Sequence, residues 1–211
     1  TIAPKTYEGY KFASITPAIE GGASVASGTT ITLAYVKDDG QTQDTLYTVE
    51  YFKDGVRVEA DSYTEHATAW VNDDPAQIAI KATIDAAGDK YRGYRLASTS
   101  PEALPQAGDK VNSGTVIQVK YVKDDAQTQP TSYTVKHVVE GVEQAQDSAT
   151  YAGTAWVNDE HPGIVVAGDT IAPKTYEGYK FASITPAIEG GASVASGTTI
   201  TLAYVKDDGQ T

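Results

Sequence analysis

The chain has 211 residues, and 28 acidic against 16 basic side chains leave a formal charge of −12. That balance excludes the Lys/Arg-rich surface that nucleic acid or an anionic membrane rewards. No cysteine is present, so there is no disulfide framework, thiolate metal site or thiol nucleophile. No apolar run approaches the ~18 residues of a membrane-spanning helix, and we expect no membrane insertion.

The first 42 residues, Thr1 to Thr42, return letter for letter as Thr170 to Thr211, an offset of 169. Identity over that length marks a tandem array, so the repeat has to be read before the elements. In chain order, Lys11 to Ile15 reads as a strand, Gly21-Gly22 as a turn and Thr29 to Lys37 as a second strand. Ile31, Leu33 and Tyr35 share one face of that strand, with Thr30, Thr32 and Ala34 on the other. Period-two alternation of this kind predicts a half-buried strand. Asp38 to Gln43 reads as a polar connector.

Tyr47, Val49 and Tyr51 open a new alternation, followed by Asp54-Gly55, a short-range hairpin signal, and a return strand at Val56 and Val58. Thr68 to Asp73 reads TAWVND, and Gln77 to Ala87 admits a helix or a strand. Gly93-Tyr94 starts the second half of the module, which closes with the strand Thr115 to Lys123. The cycle then restarts: Tyr133-Thr134-Val135, Gly141 and Thr154 to Asp159 repeat Tyr47-Thr48-Val49, Gly55 and Thr68 to Asp73 at an offset of 86. The counterpart of Gln77 to Ala87 contains Pro162 and Gly163, poor helix material, so this region is expected to be mostly extended.

The chain therefore divides into the second half of a B-type module (1–42), module A (47–125) and module B (133–208), with polar linkers at 43–46 and 126–132. Each module is expected to be mainly β, with four or five strands, at most one short helix, and its first and last strands side by side. Short connectors between like-charged modules lead us to expect an elongated array.

Three features resemble the mucin-binding (MucBP-type) repeats of Gram-positive surface adhesins. They are the opening Tyr47-Thr48-Val49-Glu50-Tyr51 with Gly55, the central Gly93-Tyr94, and the closing Gly114 to Asp124. Module B carries them as Tyr133-Thr134-Val135, Gly141, Gly178-Tyr179 and Gly197 to Asp207. The resemblance implies small β-grasp-like modules, strung in tandem on an extracellular, cell-wall-anchored protein. The TAWVND block and the long insert before Gly93 depart from that pattern.

Candidate chemistry is sparse. His66, His137 and His161 neither recur at equivalent positions nor stand at ligand spacing, and no nucleophile motif is present, so we expect no enzyme. Acidic clusters at Asp38-Asp39, Asp73-Asp74, Asp124-Asp125, Asp159-Glu160 and Asp207-Asp208 raise calcium. Against it, none has the alternating carboxylate spacing of a dedicated loop, so no metal or other cofactor is expected. Trp70 and Trp156 are equivalent, as are Tyr94 and Tyr179. These four are the candidate glycan-binding residues, since aromatic faces stack on sugar rings; the competing role is filling small cores.

Two functional readings follow. One is a structural stalk that holds an adhesive tip away from the cell wall, its partners being neighbouring repeats of the same protein. The other makes each module a weak binder of host mucin or another glycoprotein, acting through avidity. A window onto a longer extracellular fibre is a third. The last concerns residues 1–42, which lack the strands that 170–211 receive from module B, and which we expect to be completed by residues of another copy.

Overall fold

The structure, a computed structural model, describes residues 1–210. Where apolar and polar residues alternate, strands form. The half-module holds β1 (Tyr10–Thr16) and β2 (Thr32–Lys37). Module A holds β3 (Thr42–Lys53), β4 (Val56–Arg57), β5 (Tyr63–Trp70), β6 (Gln77–Ala79), β7 (Tyr94–Ser100), β8 (Lys110–Asn112) and β9 (Thr115–Lys123). Module B repeats the series as β10 (Thr128–Val139), β11 (Val142–Glu143), β12 (Ala149–Trp156), β13 (Gly163–Val165), β14 (Tyr179–Thr185), β15 (Ser193–Ala195) and β16 (Thr198–Lys206). A single 3₁₀ turn at Gly168–Ile171 is the only helical element among the described residues.

Each module is built on a five-stranded sheet. In module A the order is β4-β3-β9-β7, with β5 also on β3; in module B it is β11-β10-β16-β14, with β12 also on β10. First and last strands pair in parallel at the centre, Val49 opposite Ile117 and Val135 opposite Ile200. This is a β-grasp-like order without an α-helix. The ambiguous segment after TAWVND is extended, as its Pro and Gly counterparts predicted: β6 pairs β8, and β13 pairs β15.

The inward faces are those the alternation indicated. Ile117, Val119, Tyr121, Ile200, Leu202 and Tyr204 are all at most 1% exposed. In module B, Ile200, Leu202 and Tyr204 form one core cluster with Tyr133, Val135, Ile164, Val166 and Ile171. The hairpin at Asp54-Gly55 places both residues at positive φ, 48° and 81°, which matches the right-handed twist of the flanking strands. Glu140-Gly141 does the same in module B, at 46° and 82°.

Two expectations need correction. Residues 43–46 are not a linker but the start of β3, paired with β5 from Thr42 opposite Trp70 onward. Most of 126–132 is likewise the start of β10, with Thr128 opposite Trp156. Their exposed side chains are polar, which is why they resemble a connector, while Thr45 and Thr131 between them are buried. The strand expected at Thr29 begins only at Thr32.

By internal contacts the chain forms two compact units. One comprises Thr1–Lys90 with Leu96–Val122, the other Tyr91–Arg95 with Lys123–Thr211. The Gly93-Tyr94 turn thus belongs to the same unit as module B. Among the described residues, no helix is long and apolar enough to cross a membrane.

Candidate functional site

The feature that recurs is a clasp built on the Gly-Tyr turn. The amide of Tyr10 donates to the carbonyl of Tyr7, closing a tight turn whose third residue, Gly9, sits at φ 87°. Glycine takes that conformation without the Cβ clash that other residues meet. Gln41 straps the turn from below: its Oε1 accepts the Gly9 N–H at 2.8 Å, and its Nε2 donates to the Tyr10 carbonyl at 3.1 Å. Gln127 straps Gly93-Tyr94 in the same way, at 2.8 and 2.9 Å. Gln210 does so for Gly178-Tyr179, at 3.0 and 3.4 Å.

The TAWVND block closes over two of these turns. Trp70 Nε1 donates to the Gly9 carbonyl at 2.9 Å, and Asn72 Nδ2 to that of Glu8 at 2.7 Å. Trp156 and Asn158 repeat both bonds on Gly93 and Arg92, at 2.9 and 2.6 Å. Trp70 ends β5 and Asn72 stands in the turn that follows, so one strand end delivers both donors. The ring of Tyr10 meets Trp70 edge-on with centroids 5.4 Å apart, and Tyr94 meets Trp156 at 5.6 Å. Lys37 Nζ lies 4.6 Å from the Trp70 ring centroid, and Lys123 Nζ is equally placed over Trp156.

A second glutamine shapes the donor. Gln43 Nε2 is shared among the carbonyls of Trp70, Val71 and Asp73 at 2.8–3.1 Å, holding the turn after β5 closed. Gln129 makes the corresponding set after β12. The Gln-Thr-Gln sequence that looks like connector filling is therefore the most specific part of the joint. Its first Gln shapes the acceptor and its second the donor. The recurrence of Gln-Thr-Gln at 41–43 and 127–129 was the available signal.

The four candidate glycan residues thus fall into two environments. Trp156 and Tyr94 come together, while Trp70 meets Tyr10, which sequence reading did not single out. Tyr179 lies on the third turn, and both tryptophans of the chain are engaged elsewhere. The indole N–H of each tryptophan is committed to a backbone carbonyl, and an ammonium stands over each ring.

Electrostatics follow the same construction. The Gln41 amide, with the Gly40 N–H, holds the Asp38 carboxyl below its ordinary pKa. Gln210 and the Gly209 N–H do this for Asp207. Asp38 and Asp207, the first members of their acidic pairs, thus serve as turn acceptors. Among the described residues, no group of three or more His, Cys, Asp or Glu side chains could hold a metal ion. His66 Nδ1 lies 3.1 Å from Asp44, and His137 is buried against Tyr204.

No family model matches the chain, and no curated protein does. In fold comparison the chain is similar to MucBP repeats. Among the solved structures it matches are Mub-RV and the type 2 repeat of the mucus binding protein MUB from Lactobacillus reuteri. Mub-RV is 18% identical over 77% of this chain and 99% of its own, with a TM-score of 0.25. The MUB repeat is 14% identical over 77% of this chain and 100% of its own, also at 0.25.

Proposed function

We propose that this chain is repeat material of an extracellular, cell-wall-anchored bacterial adhesin, acting as a stalk whose successive modules are locked through the tryptophan clasp. The observation that carries the reading is recurrence: the same five side-chain roles (Trp, Asn, Tyr and two Gln) appear at both joints, with bond lengths that agree to within about 0.3 Å. A stalk has to keep its modules in register under load, and directional bonds shielded by aromatic rings suit that task. The partners are then neighbouring repeats of the same protein, and a longer extracellular fibre would use the same lock.

The competing reading is glycan binding at Trp70, Tyr94, Trp156 and Tyr179. Binding of the 211-residue chain to immobilised mucin and to a glycan array separates the two. The stalk predicts no saturable binding, together with a lower unfolding force under single-molecule pulling when Trp156 becomes Phe. Saturable mucin binding that is lost in Tyr179→Ala would replace the stalk with the binder.

A further inference from the structure

One buried position separates the cores of the two complete modules. Tyr51 of β3 and His137 of β10 stand at the equivalent place, and both are buried. In module A, Tyr51 Oη donates to the Asp85 carbonyl at 2.8 Å and Tyr121 Oη to the Ala87 carbonyl at 2.7 Å. Two phenols thus hold the segment at 85–87. Burial pushes both up to about 12, so neither titrates near neutral pH.

Module B has one phenol and one imidazole there. Tyr204 Oη accepts the Lys174 N–H at 2.9 Å and lies 2.9 Å from His137 Nδ1. The hydroxyl has a single proton and the Lys174 amide only donates, so that proton goes to Nδ1. Nδ1 therefore carries a lone pair, and the neutral ring keeps its own proton on Nε2. Through this bond pair the core holds residues 172–176, which have no regular structure. Tyr176 adds an edge-on contact with Tyr204 at 4.8 Å, and its hydroxyl donates to Asp147 at 2.7 Å. The Tyr176 carbonyl in turn accepts the Tyr179 N–H at 2.9 Å, closing the Gly178-Tyr179 turn.

We propose that His137 is a proton-operated latch: protonating its imidazole releases residues 172–176 and loosens the Gly178-Tyr179 turn, while module A stays closed. A second ring proton converts Nδ1 from acceptor to donor. Tyr204 then loses the acceptor for its own proton inside the core, where an unmade bond is costly. The titratable and charged groups around the pair are Tyr204 from β16, Lys174 and Tyr176 from the 172–176 segment, and Asp147 from the turn before β12. Burial first, and then Lys174, disfavour the imidazolium, and Asp147 only partly offsets them. The Tyr176 hydroxyl holds the Asp147 carboxyl below its ordinary range, so Asp147 stays ionised while His137 titrates. Lifting the segment off Tyr204 carries Lys174 away and lets water reach the ring, which removes the cost of a buried charge. Under the stalk reading, acid would soften B-type turns and spare A-type ones; the latch itself does not rest on that reading.

The test is amide hydrogen exchange by NMR on the 211-residue chain at about pH 7.5 and about pH 5, each rate referred to its intrinsic value at that pH. Protection at the Lys174 and Tyr179 amides should fall about tenfold or more, since each pH unit below the free imidazole pKa multiplies the opening equilibrium by up to about ten. The Lys90 amide of module A should keep its protection. Leu202, in the core of module B, should stay better protected than Lys174 at both pH values, as a local opening requires. His137→Tyr, which installs the residue of module A, should abolish the pH dependence. Should that variant fail to fold, the native imidazole decides: its nitrogen chemical shifts near pH 7.5 should place the proton on Nε2. A proton on Nδ1 overturns the latch, as does protection at Lys174 that ignores pH or is matched in its pH dependence by Lys90. Equal protection of Lys174 and Leu202 also overturns it, because module B would then open as a whole.

Discussion

Gly93 and Gly178 occupy the same place in two equivalent turns, with φ of 86° and 83°, but only Gly93 is closed over by a clasp. Replacing either with alanine costs the strain of a Cβ at positive φ, on the order of 1–2 kcal/mol, and this cancels in the comparison. What remains is the clasp. At Gly93 the new Cβ would fall on Asn158 Nδ2 and lie 2.9 Å from Trp156 Cζ2, whereas at Gly178 nothing stands within 4 Å. Alanine at 93 must push both donors away. Two hydrogen bonds at about 0.5–1.5 kcal/mol each, plus an edge-on aromatic pair of about 0.5–1.5 kcal/mol, are then weakened or lost. Because Asn158 is solvent-accessible, we expect the lower half of that range. Gly93→Ala should therefore destabilise its unit by about 1.5–3 kcal/mol more than Gly178→Ala. The assay is urea denaturation followed by tryptophan fluorescence in a Trp70→Phe background, which leaves Trp156 as the sole reporter. Equal losses from the two substitutions, within about 0.5 kcal/mol, would refute a clasp that holds the Gly-Tyr turn.

Ile200→Ala, at a position with no exposure, should cost about 2–4 kcal/mol by thermal or chemical denaturation, whereas Ile31→Ala, its sequence twin in the open half-module, should cost under about 1 kcal/mol. Equal costs would mean that the half-module core is closed by something else. His137 replaces the tyrosine that module A has at the equivalent Tyr51. Burial, reinforced by the Lys174 charge and partly opposed by Asp147, pushes its pKa below the ordinary value of 6.5. The unfolded chain then binds more protons than the folded one below pH about 6.5, so stability should fall as the pH drops from there through the lowered pKa. Above that window this group contributes no slope. Denaturation midpoints between pH 7.5 and 5 should show the loss in the parent and a flatter profile in His137→Phe; parallel profiles would assign the slope to another group.

The half-buried strands were readable because alternation is a local signal. Ile117, Val119 and Tyr121 repeat every second residue, and a sheet with one wet face needs that period. The Asp54-Gly55 hairpin was readable for the same reason, since positive φ at two adjacent positions restricts residue choice on the spot. Even the adjacency of first and last strands could be inferred, those two having the most regular alternation; that they run parallel could not. The joints were another matter. Gly93 meets Trp156 across 63 residues, and Gln127 serves a turn more than 30 residues earlier; no period or local motif encodes either contact. Polar side chains on a strand end look the same whether they face water or strap a turn. For that reason 43–46 and 126–132 resembled linkers until the β3–β5 and β10–β12 pairings placed their glutamines. So the sequence alone determined the alternation of the long strands and their inward faces, because burial acts residue by residue along a strand. Only the tertiary structure decided what the tryptophans, asparagines and glutamines hold, because a hydrogen bond needs its partner in space and not in sequence.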